Sequence, residues 1–106
     1  MSGSDLFTGT LNILILRMVR EEPLHGYVIG KHIRDTSRGV LDVEEGALYP
    51  ALHRLERKGF LSSEWGRTDT NRRAKFYRLT RAGAEHLEAE SARWADFSDA
   101  VHAVLG

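Results

Sequence analysis

In the stretch "EEGALYPALHRLERKGF", residues 44–60, Gly46, Pro50, His53 and Arg57 recur at intervals of four, three and four. At helical spacing they share one face, with Tyr49 and Arg54 at its edges, while Leu48, Ala51, Leu52 and Leu55 share the other. An imidazole, a phenol and two guanidiniums offer hydrogen bonds and positive charge. None of them stands beside a nucleophile, so the chemistry this set can do is recognition. A proline inside a helix costs about 3 kcal/mol. Here its ring crowds the carbonyl of Gly46, the residue best able to shift. A face with no side chain at one turn and a compact ring at the next lets the helix backbone approach another surface closely. A DNA major groove admits one helix and is read by its N-terminal residues. The competing reading is a kink that wraps this helix around its own core.

The residues 67–75 supply a second set. Arg67, Arg72, Arg73 and Lys75 sit at or beside the polar turn "RTDTNR", where only Asp69 opposes them. Basic side chains on a protruding hairpin reach phosphates or an adjacent minor groove.

Other chemistries lack their residues. The chain has no cysteine, which removes disulfides, thiolate metal sites and cysteine nucleophiles. It has no HExxH, no glycine-rich phosphate loop and no nucleophile motif with its base. His86 with Glu90 and Asp99 with His102 stand one turn apart, a spacing that a solvated helix face explains without a metal. No enzyme activity and no cofactor is expected. The longest apolar run, "LNILILRMV" at 11–19, is broken by Asn12 and Arg17 and is too short to cross a bilayer. A soluble, cytoplasmic protein without a membrane partner is expected.

The net charge of zero conceals a division along the chain. Residues 1–53 carry 5 Lys/Arg against 7 Asp/Glu, residues 54–81 carry 9 against 3, and residues 82–106 carry 1 against 5. A basic middle between acidic flanks suggests one surface that meets an anion and others that avoid it. A solvated charged surface is the alternative.

At 106 residues the chain is one domain of modest core. The expected order is a nearly all-round apolar helix over about Thr8–Glu21 and a second helix over Gly26–Thr36. A third follows over about 44–58, with Asp42 as its N-cap and Glu45 completing a capping box. The period then switches to alternation over 61–79, two antiparallel strands, and Thr80 caps a last helix about 36 Å long. The fold class is mainly α with a small β-hairpin: a winged helix-turn-helix plus a long C-terminal dimerisation helix. The organisation reads as a flexible N-terminus over 1–7, a winged domain over 8–80 and the dimerisation helix over 81–106.

On that last helix Leu87, Trp94 and Val101 recur at seven, with Phe97 and Val104 between them. Such a seam over about three heptads pairs one helix with another, here in a homodimer. Packing back on the first helix is the alternative. Two Trp94 rings flanking a dimer axis would sandwich a flat aromatic or hydrophobic small molecule, although plain packing is what a tryptophan in a seam usually does.

The blocks "GTLNILIL", "PLHGYVI", "EEGALYPALHRLERKGFL", "EWG", "KFYRLT" and "AG" resemble the PadR family of bacterial transcriptional regulators, over about residues 8–105. The single C-terminal helix is similar to that of the compact subgroup. The resemblance implies a winged-helix repressor that binds double-stranded DNA as a homodimer and is relieved by an effector in some members. Carried over by residue, it implies helix contacts at Gly46, Tyr49, Pro50 and His53, and places Tyr27 near the DNA backbone, where helix N-termini bind phosphate. A Tyr27 that only packs is the other reading. The wing turn "RTDTN" is poorer in basic residues than is common in that family. The rival from another class is a winged helix used for protein–protein interaction without DNA.

Overall fold

The computed structural model describes residues 3–106. The elements run α1 (Gly3–Met18), β1 (Leu24–His25), α2 (Gly26–Thr36), α3 (Glu45–Arg57), β2 (Leu61–Arg67), β3 (Arg73–Leu79) and α4 (Arg81–Leu105).

The core is built from one face of each helix. Leu11, Ile15, Leu16 and Val19 come from α1 and its exit, Ile29 and Ile33 from α2, and Leu48, Ala51, Leu52 and Leu55 from α3. Leu24, Leu61, Tyr77 and Leu87 close it from the sheet and α4. Ile13, Leu14 and Met18 pack against the rim of this cluster, which explains why α1 is apolar nearly all round. Each fully buried leucine adds about 1.5–3 kcal/mol of burial, so truncating Leu52 would cost about 2–5 kcal/mol.

Three expectations about boundaries need correction. The tail expected over 1–7 falls outside the described residues at 1–2, and from Gly3 the chain is already helical. The first helix also ends at Met18 rather than Glu21, because the last turn loosens into long bonds from Val19 N to Ile15 O (3.4 Å) and Arg20 N to Arg17 O (3.3 Å). Asp42 does not cap α3. Leu41 and Val43 pack against the core and keep the link extended through Glu44. The carbonyl of Glu44 then accepts the first helical bonds from the Ala47 and Leu48 amides, both at 3.0 Å, and no side-chain cap forms.

The hairpin has a third strand that alternation did not reveal. Leu24 pairs with Tyr77 and His25 with Phe76, giving the antiparallel order β1-β3-β2. Two residues are too short for a periodic signal, and Leu24 earns its place by burial. In β2 and β3, Ser63 faces Tyr77, Trp65 faces Lys75 and Arg67 faces Arg73. Since side chains alternate across a sheet, these six share one face with Leu61 and Leu79.

Thr80 caps α4 as expected, its Oγ1 accepting from Gly83 N at 3.0 Å. At Gly83 the entry of α4 lies against the backbone of Phe60, so close that an added Cβ would sit 2.1 Å from the Phe60 carbonyl oxygen. Only glycine fits there. The first turns of α4 pack on α1, and beyond Leu87 no residue of α4 is buried. The free half extends the molecule to 50 Å along its longest axis.

Candidate nucleic-acid interface

Burial of Leu48, Ala51, Leu52 and Leu55 fixes the rotation of α3 about its axis. Gly46, Pro50, His53 and Arg57 then face solvent, with Tyr49 at the edge. Nothing lies within 4 Å of a Cβ placed on Gly46, so this glycine is not there to relieve crowding inside the chain. The bare patch and the compact ring of Pro50 leave the N-terminal half of α3 open to an incoming surface.

Tyr49 is held from behind by α2. A Cβ on Gly26, the first residue of α2, would come within 2.7 Å of Tyr49 Cε1, so the ring lies directly on glycine backbone. Partial burial there and the charge of Glu45 both push the Tyr49 hydroxyl up from its ordinary value, keeping it a neutral donor. Tyr27, exposed on α2, shares with Tyr49 a cleft of about 170 Å³ that Lys31 and Arg34 also line. The amino end of α2 carries no side-chain cap. Its first amides keep hydrogen-bonding capacity for an outside acceptor.

Cation placement separates the basic residues into two groups. Among the described residues, Arg54, Arg57, Arg72 and Arg73 form no ion pair, and Arg67 donates only to the Asn71 carbonyl, at 3.3 Å. These cations flank α3 and occupy the wing end. Lys75 does not join them. Its Nζ lies 3.0 Å from Glu56 Oε1 and 5.5 Å over the Tyr77 ring, so its charge is already matched within the fold. The reason is register: Lys75 stands on the sheet face turned toward α3, within reach of Glu56 near the end of that helix.

Trp65 and Glu56 were missed from sequence. Trp65 is 60 % exposed and carries the Arg73 guanidinium 4.5 Å above its ring, on the same sheet face as Lys75. The signal was present, because Trp65 is in phase with the buried Leu61 in the strand alternation. Glu56 accepts hydrogen bonds from Ser63 on β2 and Lys75 on β3. These bonds, Ser63 foremost, hold its carboxyl below the usual glutamate range.

On α4 the expected seam divides. Leu87 is buried in the chain's own core and so is not free to pair with another molecule. Trp94, Phe97, Val101 and Val104 are exposed, with the Trp94 and Phe97 rings 5.7 Å apart and tilted. Phe97, Val101, Val104 and Leu105 line a shallow, wholly apolar depression. Among the described residues no three His, Asp or Glu side chains cluster as metal ligands, and no helix is long and apolar enough to cross a membrane.

The Transcriptional regulator PadR-like family matches residues 15–89, from the core of α1 to the first turns of α4. The chain belongs to that family. Solved PadR-like folds superpose over nearly its whole length. A transcriptional regulator from Clostridium thermocellum is similar, at 27 % identity and TM-score 0.86 over 96 % of this chain and 99 % of that one. A PadR family regulator from hypervirulent Clostridium difficile is 30 % identical, with TM-score 0.79 over 91 % of this chain and 98 % of that one. One from Eggerthella lenta is 36 % identical, with TM-score 0.79 over 95 % and 86 %. The architecture is therefore the PadR winged helix with a long C-terminal helix, and its role lies in transcription regulation. The family match ends at 89, short of the exposed PadR α4 surface that begins at Trp94.

Proposed function

We propose that the protein is a homodimeric transcriptional repressor that inserts α3 into the major groove of a pseudo-palindromic operator and rests its wing on the backbone or minor groove. One observation carries this reading: the open patch at Gly46 and Pro50 is ringed by His53, Arg54 and Arg57, and among the described residues neither guanidinium forms an ion pair. In this account His53 and Tyr49 meet base edges, while Arg67, Arg72 and Arg73 meet phosphates. Tyr27 and the uncapped start of α2 meet a further phosphate. Trp94, Phe97, Val101 and Val104 join two copies, so that two α3 helices lie about one turn of DNA apart, near 34 Å. A flat aromatic effector would enter beside Trp94 and act by changing the angle between the winged domains.

The test is selection from a randomised duplex library. Enrichment of a two-fold symmetric motif supports the reading. His53→Ala and Tyr49→Ala should blur that motif, whereas Arg72→Ala and Arg73→Ala should weaken binding to all sequences alike. The reverse pattern would exchange the roles of helix and wing. No enrichment from a folded chain would favour a winged helix that binds protein.

A further inference from the structure

Building on that reading, we propose that Glu56 is a positioning residue: it fastens the wing to α3, so that the helix and the wing meet DNA as one surface. Glu56 leaves the flank of α3 one turn after His53 and reaches both strands. Its Oε2 accepts from Ser63 Oγ on β2, and its Oε1 accepts from Lys75 Nζ on β3 at 3.0 Å. Both ends of the pair are about one-third exposed, at 31 % and 32 %. One carboxylate thus ties three elements together at the point where the sheet leaves the core.

Beyond this point the hairpin's outer residues face solvent. The next residues on the same face, Trp65, Arg67 and Arg73, are exposed, and Arg73 stacks on Trp65 within the hairpin rather than on α3. On the opposite face the Arg78–Glu64 pair (3.4 Å) also stays within the hairpin. At the base of the wing β1 also holds β3, pairing at Tyr77 and Phe76, with the His25 and Phe76 rings 5.3 Å apart; on the side facing α3, it is Glu56 that links the helix to both strands. A hairpin free to swing would lose its phosphate contacts to the entropy of ordering it.

A negative charge beside a DNA-binding helix is unfavourable on simple Coulombic grounds, and this makes the test sharp. If Glu56 were only such a charge, Glu56→Gln would tighten binding and release Lys75 to take a phosphate, steepening the salt dependence. As a clamp, the same change loosens the wing. Loss of one phosphate contact per protomer would make the slope of log K against log salt shallower by about 2. The base preference set by α3 would stay the same.

Glu56→Lys combined with Lys75→Glu rebuilds the pair in reverse and should recover the slope, which separates the clamp from a general loss of stability. A second readout needs no DNA. Amide exchange over residues 64–74 of the full chain should quicken about tenfold in Glu56→Gln while the helices keep their protection. Tighter binding, a steeper slope or unchanged wing exchange in Glu56→Gln would each overturn the clamp. Failure of the unaltered chain to bind any DNA would overturn the proposed function instead, with the exchange experiment still deciding whether Glu56 holds the wing.

Discussion

The Tyr49 ring lies on the backbone of Gly26, with Cε1 2.7 Å from where an alanine Cβ would stand. Two elements thus fix one side chain: α3 carries it and α2 sets where it points. Alanine is otherwise favourable at the start of a helix, so Gly26→Ala should fold, with stability changed by no more than about 1 kcal/mol. The ring must swing aside, and the base preference should change as it does for Tyr49→Ala. The double variant should be no worse than either single one, because both act through the same contact. Additive losses would show that Gly26 and Tyr49 act separately.

Gly46 supports a prediction with opposite signs. Space around it is open, so Gly46→Ala should stabilise the isolated protein by about 0.5–1 kcal/mol, seen as a higher urea midpoint. On DNA the added methyl meets the groove. Affinity should fall about tenfold or more, equivalent to about 1.4 kcal/mol. A variant more stable and equally tight would show that this patch does not face the operator.

The distal half of α4 is tested by charge. Val101 lies in the middle of the exposed apolar surface with Phe97 and Val104. Val101→Asp should raise the dimer dissociation constant 100-fold or more, about 3 kcal/mol, in sedimentation equilibrium. It should leave the melting of the winged domain little changed. An unaltered dimer would move the interface elsewhere.

The Glu56–Lys75 pair gives stability a pH dependence. Ser63 and then Lys75 lower the Glu56 carboxyl, so its contribution is complete above the ordinary glutamate value, about 4.3, and is lost as pH falls through the depressed one. Hydrogen bonding to Glu56 raises Lys75, so that contribution is complete below about 10.4 and lost as pH rises through the elevated value. His53 also favours the charged carboxylate. In urea titrations the advantage of the native chain over Glu56→Gln should be constant near neutrality, begin to shrink only below the ordinary glutamate value of about 4.3, and disappear once pH has fallen through the depressed one. A gap that does not shrink at all on acidification would mean that the contact does not depend on ionisation.

Much of this was legible in the sequence because helical period reports burial directly. The wheel of α3 placed Leu48, Leu52 and Leu55 inside and Gly46, Pro50, His53 and Arg57 outside, and packing has the same sides. Thr80 capped as its spacing implied, because a hydroxyl three residues before an amide satisfies it locally. What failed depended on contacts distant in sequence. Asp42 looked like a cap until Leu41 and Val43 were seen to pull the link onto the core. Lys75 looked like a wing cation, yet its partner Glu56 is 19 residues away. Leu87 fitted the heptad but belongs to the core through α1. The two-residue strand β1 had no period to display.

The most direct test of the central claim is fluorescence anisotropy of labelled duplex DNA titrated with the protein across a salt series. Six to eight phosphate contacts per dimer predict tight binding to a palindromic subset, with a log–log slope of about −5 to −7. A folded dimer that binds no duplex even at low salt would contradict the account, and the open face of α3 would then belong to a protein partner.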